Sequence, residues 1–430
     1  MQLHPKGFDL SLERITRLLD VIGNPHLNLP PVIHIAGTNG KGSATAFSRA
    51  ILEAAGLIVH VHTSPHLVRW HERYRMGAKG GGRLVDDQVF ADALRRVADA
   101  NNGQTITVYE ILTAVGFLLF SEHPADAIIM EVGLGGRFDA TNVIPKPAVS
   151  LIMPVSMDHE AYLGDTVEKI AFEKAGIIKR GCPVVIGQQP FAGAKEVLIA
   201  LAEKAHGPLA VYGQEFFAYG EHGRMVYQDE DRLIDLPKPS LIGRHQISNA
   251  AAAIRTVRMA GFDIDDGVIE RAMVNVQWPA RMQRLKHGAL VSLAPKGAEI
   301  WLDGGHNPGA GLVIAEALAE RDETAEKPLF MIAGMINTKD STGYFRAFEG
   351  LVKHVYTVPV GASDAGVSPE KLALAAQDAG LSAEPIASVA DALGILRDDF
   401  DPDEPAPRIL IGGSLYLAGE VLKENGTLPE

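Results

Sequence analysis

The residues best suited to chemistry lie at positions 36–43, which read Ala-Gly-Thr-Asn-Gly-Lys-Gly-Ser directly after the apolar run Val32-Ile33-His34-Ile35. A strand that enters a glycine-rich turn with Lys and Ser is typical of a nucleotide triphosphate loop, because the backbone N–H groups of the turn and the following helix attract phosphate. Lys41 would contact the outer phosphates, and the Ser43 hydroxyl would bind Mg²⁺. The sequence therefore predicts a protein that uses ATP.

This loop departs from the commonest form of the motif. The common pattern has Gly where Ile35 stands, and it has Ser or Thr directly after Lys, where Gly42 stands. A glycine-rich turn that only packs a strand against a helix is the alternative. The flanks favour phosphate binding, because Ala44–Ala55 is an amphipathic helix ended by Gly56, and Leu57–His62 is typical of the next strand.

Several other polar side chains follow predicted strands. Ser64 and His66 follow the second strand, and Glu131 ends an apolar strand before Val-Gly-Leu-Gly-Gly-Arg. Because α/β folds bind ligands at the carboxyl ends of strands, Glu131 is a candidate metal ligand. His159 and Lys174 follow later in the chain. Each of these residues has a structural alternative: a strand-ending turn, a solvated loop, a structural histidine or a solvated surface lysine.

A further set of candidates is split along the chain. Asn249 begins a helix of small residues, and Arg281 lies at a predicted domain junction. Asp303 ends a strand and is followed by Gly-Gly and His306, which again marks the ligand edge of a sheet. We therefore expect ATP to be held between two domains.

Composition excludes several classes of function. The 430 residues are enough for two domains, and the net charge of −13 does not support a nucleic-acid-binding surface. No apolar stretch approaches the roughly 20 residues of a membrane span, and Met1–Asp9 carries no apolar signal region. The one cysteine, Cys182, excludes an internal disulfide and is expected to be buried. We expect a cytoplasmic enzyme without nucleic-acid or membrane partners.

Apolar strand-like runs alternate with helical stretches, which predicts an α/β fold whose mainly parallel sheet carries the phosphate loop. Short pieces at Leu209–Tyr212 and Arg224–Tyr227 predict a small antiparallel side sheet. A second alternating series predicts a smaller Rossmann-like α/β domain, so we expect domains over residues 1–280 and 281–430. The strands are expected at Val32–Ala36, Ile58–His62, Ile128–Val132, Val149–Met153, Val184–Ile186, Ala289–Leu293, Glu299–Asp303, Leu329–Gly334, His354–Val358 and Arg408–Gly412.

Taken together, these residues resemble those of the folylpolyglutamate synthase/dihydrofolate synthase family in the Mur ligase superfamily, over nearly the whole chain. The Lys-Gly-Ser order of the loop is normal in that family. The motifs that carry the resemblance are Gly37–Ser43, Ser64–Leu67, Glu131–Arg137, Asp139–Asn142, Phe172–Ile177, Asp303–Pro308 and Gly412–Tyr416.

The resemblance implies roles that the residues alone do not. It implies ATP binding by Asn39, Gly40, Lys41, Gly42, Ser43, Asn249, Arg281 and Asp303. It implies Mg²⁺, expected as two ions, at Ser43, Ser64, Glu131 and His159. It implies a carbamylated Lys174 near the metal, and catalytic roles for Lys41, Lys174, Asp303 and His306. It implies a pterin site at Pro65, His66, Thr107, Val108, Tyr109, Glu110, Phe138, Asp139 and Ala140.

Two positions depart from the family pattern. The residue before Arg281 is usually Gly in the family and is Ala280 here, which would be strained if its φ were positive. The segment Met153–His159 lacks the usual Thr-Ser-Ile-Gly approach to its histidine. The second departure concerns the geometry of His159.

The implied reaction is ATP-driven amide formation in folate biosynthesis, in which L-glutamate is joined to dihydropteroate or to tetrahydrofolate through an acyl phosphate. We expect a bifunctional monomer whose domain closure excludes water. A peptidoglycan-type Mur ligase is one alternative, disfavoured because few residues precede Val32. A P-loop switch that ligates nothing is the other, and Glu131, Lys174 and Asp303 argue against it.

Overall fold

The structure, a computed structural model, describes residues 11–322 and 326–430. The chain divides into two compact units. The first takes the described residues up to Ser240, Gln246–Gln277 and the last residue, and the second takes Leu241–His245 and Trp278–Pro429. The domain boundary at residues 280/281 stays a prediction. Among the described residues, no helix is both long and apolar enough to cross a bilayer.

One large sheet forms the centre of the first unit. Its strands are β1 (Val32–Ala36), β2 (Val59–His62), β3 (Tyr74–Met76), β4 (Arg83–Leu84), β5 (Ala127–Glu131), β6 (Val149–Ile152), β7 (Val184–Ile186) and β8 (Leu209–Val211). They lie in the order β4-β3-β2-β5-β1-β6-β7-β8. The six strands from β2 to β8 in that order run parallel, whereas β3 and β4 add an antiparallel edge.

The central strands are buried along their whole length and are mostly apolar, as expected for strands covered on both faces. The polar residues within them are His34, Glu131 and Ser150. One core includes Phe117 and Met130, and another includes Ile152 and Ile170. The helices up to residue 277 are α1 (Glu13–Val21), α2 (Lys41–Ala54), α3 (Asp87–Asn101), α4 (Val108–Glu122), α5 (Glu160–Leu163), α6 (Val167–Ala175), α7 (Ala192–Ala205), α8 (His245–Met259) and α9 (Asp266–Asn275).

The side sheet is antiparallel, but its composition differs from the prediction. It contains β9 (Phe216–Glu221), β10 (Arg224–Asp229) and β11 (Leu233–Pro237), in the order β11-β10-β9. Placing Leu209–Tyr212 in it was wrong, because Leu209–Val211 is β8 and pairs parallel with β7. The intervening helix α7 explains the difference, since a helical crossover returns the chain in the same direction as the preceding strand.

The second unit is a smaller α/β layer structure. Its strands are β12 (Gln283–Leu285), β13 (Glu299–Leu302), β14 (Leu329–Ala333), β15 (His354–Thr357), β16 (Ala383–Pro385) and β17 (Arg408–Gly412). Their order is β12-β13-β17-β14-β15-β16, and all but β12 are parallel. The helices are α10 (Pro308–Asp322), α11 (Ser341–Arg346), α12 (Pro369–Asp378), α13 (Val389–Asp398) and α14 (Leu415–Glu424).

The strand predicted at Ala289–Leu293 was wrong. Its residues Val291–Leu293 form a 3₁₀ turn, and the antiparallel edge of the sheet is Gln283–Leu285. The backbone N–H groups of Leu290 and Val291 donate to Asn425 Oδ1 at 3.1 and 3.3 Å. The Asn425 side chain therefore accepts hydrogen bonds from N–H groups that a strand would donate to its neighbour in a sheet.

Ala280 has the positive φ that would make alanine costly. Its φ is 53°, and its side chain is fully buried directly before Arg281. Its N–H donates to Gln283 Oε1 at 2.9 Å, and its carbonyl accepts from Gly304 N at 3.0 Å. Two hydrogen bonds thus hold this residue in a left-handed conformation that glycine adopts without strain.

We predict that Ala280→Gly changes the free energy of unfolding by less than about 1 kcal/mol. Relief of about 1–2 kcal/mol of left-handed strain offsets the lost methyl burial and the greater freedom of glycine when unfolded. The matched control is Ala317→Gly inside α10, where a buried methyl is lost without relief and the cost should be about 1.5–2 kcal/mol. Urea unfolding of the full chain measures both changes. An equal loss of unfolding free energy in the two variants would contradict the proposed backbone strain at Ala280.

Candidate active site

The parallel strands bring the candidate metal and phosphate segments to one edge of the large sheet. The neighbouring strands β2, β5, β1 and β6 all end there. Ser64 follows β2, Glu131 ends β5, the phosphate loop follows β1, and His159 follows β6. Four consecutive positions in the sheet therefore each supply one segment, as expected for the ligand edge of an α/β fold.

The phosphate loop is braced by the segment that follows β6. Thr38 N and Asn39 N both donate to Pro154 O, at 2.8 and 3.2 Å. Thr38 Oγ1 donates to Ser156 O at 3.1 Å, and Asn39 Nδ2 donates to Ser156 Oγ at 3.2 Å. A side chain at Gly37 would place its Cβ 2.6 Å from Met153 Cβ. The Met153–His159 segment therefore shapes the loop despite its departure from the family pattern.

Helix α2 begins at Lys41, after Gly40 in a left-handed conformation with φ of 81°. The first-turn N–H groups of a helix have no partner within the helix, and they carry its partial positive charge. Ser43 lies in this turn and is 2% exposed. This end of α2 is therefore suited to an anion such as phosphate.

Two lysines share one backbone acceptor in the loop. Lys41 Nζ donates to Gly37 O at 3.0 Å and to Thr38 O at 3.2 Å. Lys174 Nζ, from helix α6, donates to the same Gly37 O at 3.1 Å. Lys174 is only 4% exposed, so its alternative as a solvated surface residue was wrong. Two cations at one oxygen form a compact positive centre beside the predicted phosphate site.

Two glycines allow α6 to bring Lys174 this close. A Cβ at Gly136 would lie 2.8 Å from Lys174 O, and a Cβ at Gly176 would lie 2.3 Å from Arg137 Cα. Arg137 N donates to Glu173 O at 2.8 Å, and Asn142 Nδ2 donates to Arg137 O at 2.9 Å and to Gly176 O at 3.0 Å. The loop after β5 therefore lies backbone to backbone against the end of α6.

The donor set at this edge fits a magnesium ion. Mg²⁺ prefers oxygen ligands, and the edge carries Glu131, 6% exposed, with the hydroxyls of Ser43 and Ser64. Ser64 Oγ is buried close to the Tyr109 hydroxyl. Among the described residues, no group of three or more His, Cys, Asp or Glu side chains is placed to hold a metal ion, so hydroxyls would have to complete the site.

His159 is the weakest of the predicted metal ligands. Its φ is 54°, and its Nε2 lies 3.8 Å from Asp158 Oδ2. Its side chain is 39% exposed, and its backbone N–H donates to Asp158 Oδ1 at 2.8 Å. The ring therefore lies beside a carboxylate, and a nitrogen ligand suits Mg²⁺ less well than oxygen.

Thr107 and Glu110, predicted to bind the pterin, hold the start of α4. Glu110 N donates to Thr107 Oγ1 at 3.1 Å, and Thr107 N donates to Glu110 Oε2 at 2.8 Å, which forms a capping box. Glu110 also pairs with Arg14 Nε at 3.1 Å. The Thr107 and Glu110 side chains therefore stabilise the start of the helix. Of the two residues between them, Val108 is exposed and Tyr109 Oη donates to Asp139 Oδ1 at 3.2 Å.

Asp139, also predicted to bind substrate, organises the loop after β5. Its carboxylate accepts from Gly133 N, Leu134 N, Thr141 N, Thr141 Oγ1 and Tyr109 Oη, at 2.6–3.2 Å. Burial raises the pKa of Asp139, while these donors oppose the rise. The neighbouring Phe138 lies under the Arg137 guanidinium, 4.8 Å from the ring centre.

The loop after β2 contains an aromatic group that the sequence interpretation missed. The His66 and Trp70 ring centres are 4.4 Å apart, and Arg73 Nε donates to His66 Nδ1 at 3.1 Å. Burial and Arg73 lower the pKa of His66 to about 4, so its ring stays neutral. The Ser64–Pro65 peptide bond is cis. Trp70 and Arg73, four and seven residues after His66, were the available signal.

The remaining candidates divide between the two units. In the first, Asn249 Oδ1 lies 3.0 Å from where a Cβ at Gly40 would be, so Asn249 contacts the phosphate loop. In the second, Asp303 accepts from Met282 N at 2.8 Å and from Gly305 N at 2.7 Å, and burial raises its pKa. There, His306 Nδ1 lies 2.9 Å from Gly304 O. The nucleotide roles of Arg281, Asp303 and His306 stay predictions.

A phosphate loop at the carboxyl edge of a parallel sheet defines a nucleotide-dependent α/β protein, and the Mur ligase middle domain family matches residues 35–257. The folylpolyglutamate synthase of Lacticaseibacillus casei is 34% identical over 424 residues, which cover 95% of this chain and 92% of that relative. The chain belongs to the folylpolyglutamate synthase/dihydrofolate synthase family of the Mur ligases.

Solved structures agree with this assignment over both units. Escherichia coli FolC in complex with DHPP and ADP has a TM-score of 0.85 at 27% identity, covering 98% of this chain and 94% of that one. The bifunctional folylpolyglutamate synthase/dihydrofolate synthase of Yersinia pestis, complexed with AMPPNP and Mn ion, has a TM-score of 0.84 at 26% identity, covering 98% and 95%. The predicted family, fold class and ligase class are confirmed.

We predict that Gly176→Ala lowers the glutamate-dependent release of ADP by at least tenfold and destabilises the chain by about 1–3 kcal/mol. The new methyl would overlap the backbone of Arg137 and displace the end of α6, which carries Lys174. The control is Gly394→Ala inside α13, where no atom lies within 4 Å of the added Cβ and helix propensity should raise stability by up to about 1 kcal/mol. Wild-type rate and melting temperature in Gly176→Ala would contradict the close approach.

Proposed function

We propose that this chain joins L-glutamate to the carboxylate of dihydropteroate, of a tetrahydrofolate (poly)glutamate, or of both, with hydrolysis of ATP to ADP and phosphate. The observation that carries the proposal is the convergence of Lys41 and Lys174 on Gly37 O beside the start of α2. Family membership supplies the chemical class of the substrates, since the relatives are folylpolyglutamate and dihydrofolate synthases.

The chemistry is a transfer followed by an aminolysis. The folate carboxylate oxygen attacks the γ-phosphorus of ATP, the bond to the β,γ-bridging oxygen breaks, and ADP leaves. The glutamate amine then attacks the acyl carbon, and phosphate leaves with the oxygen that it acquired. Both steps require anions to approach one another, which is unfavourable in a cleft of low dielectric unless positive charge is placed there in advance.

Lys41 and the first turn of α2 provide fixed positive charge for the phosphates. Lys41 occupies the position that contacts the outer phosphates in such loops, and the N–H groups of the turn add partial positive charge. Magnesium, when bound, neutralises further phosphate charge. Ser43, Ser64 and Glu131 would hold it, with His159 as a candidate for a second ion that the family pattern implies.

Carbamylation of Lys174 would remove the electrostatic repulsion between the two lysines. Two ammonium groups on one oxygen repel one another by a few kcal/mol at an effective dielectric of about 20. If the neutral amine of Lys174 adds to CO₂ and releases a proton, the side chain becomes an anion. Repulsion from Lys41 then becomes attraction, and the site gains an oxygen ligand for the metal.

The pterin ring would be held between the loop after β2 and the loop after β5. The first loop contributes Pro65 and His66 beside Trp70, and the second contributes Phe138 and Ala140. Flat aromatic side chains bind a planar heterocycle by stacking. Asp139 and Tyr109 would act by fixing the shape of the second loop.

The assay of the proposed reaction is glutamate-dependent release of ADP, with dihydropteroate and tetrahydrofolate as separate substrates. ADP release that needs glutamate and either pterin supports the proposal, and the two substrates report separately which reactions occur. Release with a nucleotide-sugar peptide alone would indicate the peptidoglycan-type ligase. Nucleotide binding without release under any condition would indicate the switch.

We predict that Lys41→Ala lowers this ADP release by about 10²–10³-fold while leaving the melting temperature within a few degrees of wild type. The expected loss is that of one preorganised charge at a developing transition state. Lys79→Ala, at an exposed lysine between β3 and β4, is the matched control and should retain full activity. Full activity in Lys41→Ala would reject the loop assignment.

We predict that Lys174→Ala is inactive and that added acetate or formate restores part of its ADP release. A small carboxylate in the vacated space would replace the oxygens of the carbamate. Lys41→Ala is the control, because an anion cannot replace a missing cation and no rescue is expected. If carboxylates fail to rescue Lys174→Ala, or rescue both variants alike, Lys174 does not act as a carbamate.

A further inference from the structure

A chain of buried hydrogen bonds runs from the middle of β1 to the loop after β5. His34 Nε2 lies 2.8 Å from Thr141 Oγ1, and Thr141 Oγ1 lies 2.6 Å from Asp139 Oδ1. His34 and Thr141 are 0% exposed, and Asp139 is 3% exposed. The proposed reaction assigns no task to His34 or Thr141, although the chain ends on the carboxylate that organises the loop.

The partners of Asp139 fix the direction of these hydrogen bonds. Its oxygens are surrounded by donors, namely three backbone N–H groups and the hydroxyls of Tyr109 and Thr141. With five donors on its two oxygens the carboxyl group acts as an acceptor, so the one proton of the Thr141 hydroxyl points to Asp139. The Thr141 oxygen must then accept from His34, which requires the proton of the ring to be on Nε2.

The state of the His34 ring agrees with this direction. Burial, with Lys179 and His62 adding to it, lowers the pKa of His34 to about 3, so the ring is neutral and carries one proton. The other ring nitrogen, Nδ1, is buried and has no hydrogen-bond partner among the described residues. An unpaired acceptor at Nδ1 is what the Nε2–H tautomer leaves behind.

We propose that His34 is a positioning residue for the pterin substrate, acting through Thr141 and Asp139 on the loop at Gly133 and Leu134. The Tyr109 ring completes the arrangement, because a Cβ at Gly133 would lie 2.5 Å from its Cζ. The inference rests on the proposed function, since it takes Phe138 and Ala140, on either side of Asp139, as contacts of the pterin. His34 thereby links the strand of the phosphate loop to the other substrate.

The test compares His34→Gln with His34→Asn. The Gln amide nitrogen can take the place of Nε2 and donate to Thr141, whereas the shorter Asn places its amide near Nδ1. We expect His34→Gln to keep the KM for the pterin within about threefold of wild type. We expect His34→Asn to raise it about tenfold, the effect of one misplaced buried hydrogen bond, while the KM for ATP changes less than twofold.

Thr141→Val provides a second route that does not alter the strand. It keeps the shape of the side chain, removes the hydroxyl, and should raise the KM for the pterin as His34→Asn does. The double variant should be no worse than either single variant, because both break the same chain. His60→Asn is the control, since His60 is a buried histidine of β2 that bonds to Gly77 N and His123 O. This variant should lower the stability of the chain without changing the KM for the pterin.

The outcomes separate this role from the proposed function. Equal pterin KM values in His34→Gln and His34→Asn, or an equal rise in the KM for ATP, would overturn the role of His34 while wild-type turnover stands. Additive effects of His34→Asn and Thr141→Val would also overturn it. Absence of pterin-dependent turnover in the wild type would reject the proposed function, and this role with it.

Discussion

The candidate site depends on one close contact between two backbones. The loop after β5 and the end of α6 meet at Gly136 and Gly176, where no side chain fits. This contact places Lys174 inside the molecule, with its Nζ on the same carbonyl oxygen that Lys41 uses. The two side chains bring positive charge to the phosphate loop, which suits the binding of anions such as phosphate and carboxylate.

A second constraint shapes the loop that we propose to contact the pterin. Asp139 gathers five donors from the loop after β5, from Thr141 and from Tyr109, so the loop has little freedom to adopt another shape. His34 connects that carboxylate to β1, whose next residues form the phosphate loop. The loop after β5 is therefore tied by a side-chain hydrogen bond to the strand that carries the phosphate loop.

Sequence patterns correctly predicted the features that depend on neighbouring residues in the chain. The strand at Val32–Ala36, the helix after it and the ligand edge of the sheet follow from apolar runs and glycine-rich turns. The burial of Lys174 could not be predicted locally, because it depends on Gly136, which lies 38 residues earlier in the chain. Thr107 and Glu110 show a signal that was present and unused, since Thr-x-x-Glu before an apolar helix is a capping box. β8 was misplaced because periodicity does not state which neighbour a short strand pairs with.

For the proposed reaction, this edge of the sheet must bind an adenine nucleotide together with a divalent cation. Calorimetric titration of the full chain with AMPPNP, with magnesium and again with EDTA, tests it most directly, because no catalytic step is needed. We expect heat of binding at a single site with magnesium and a large loss of affinity without it. Equal affinity in both titrations, or no binding in either, would contradict it.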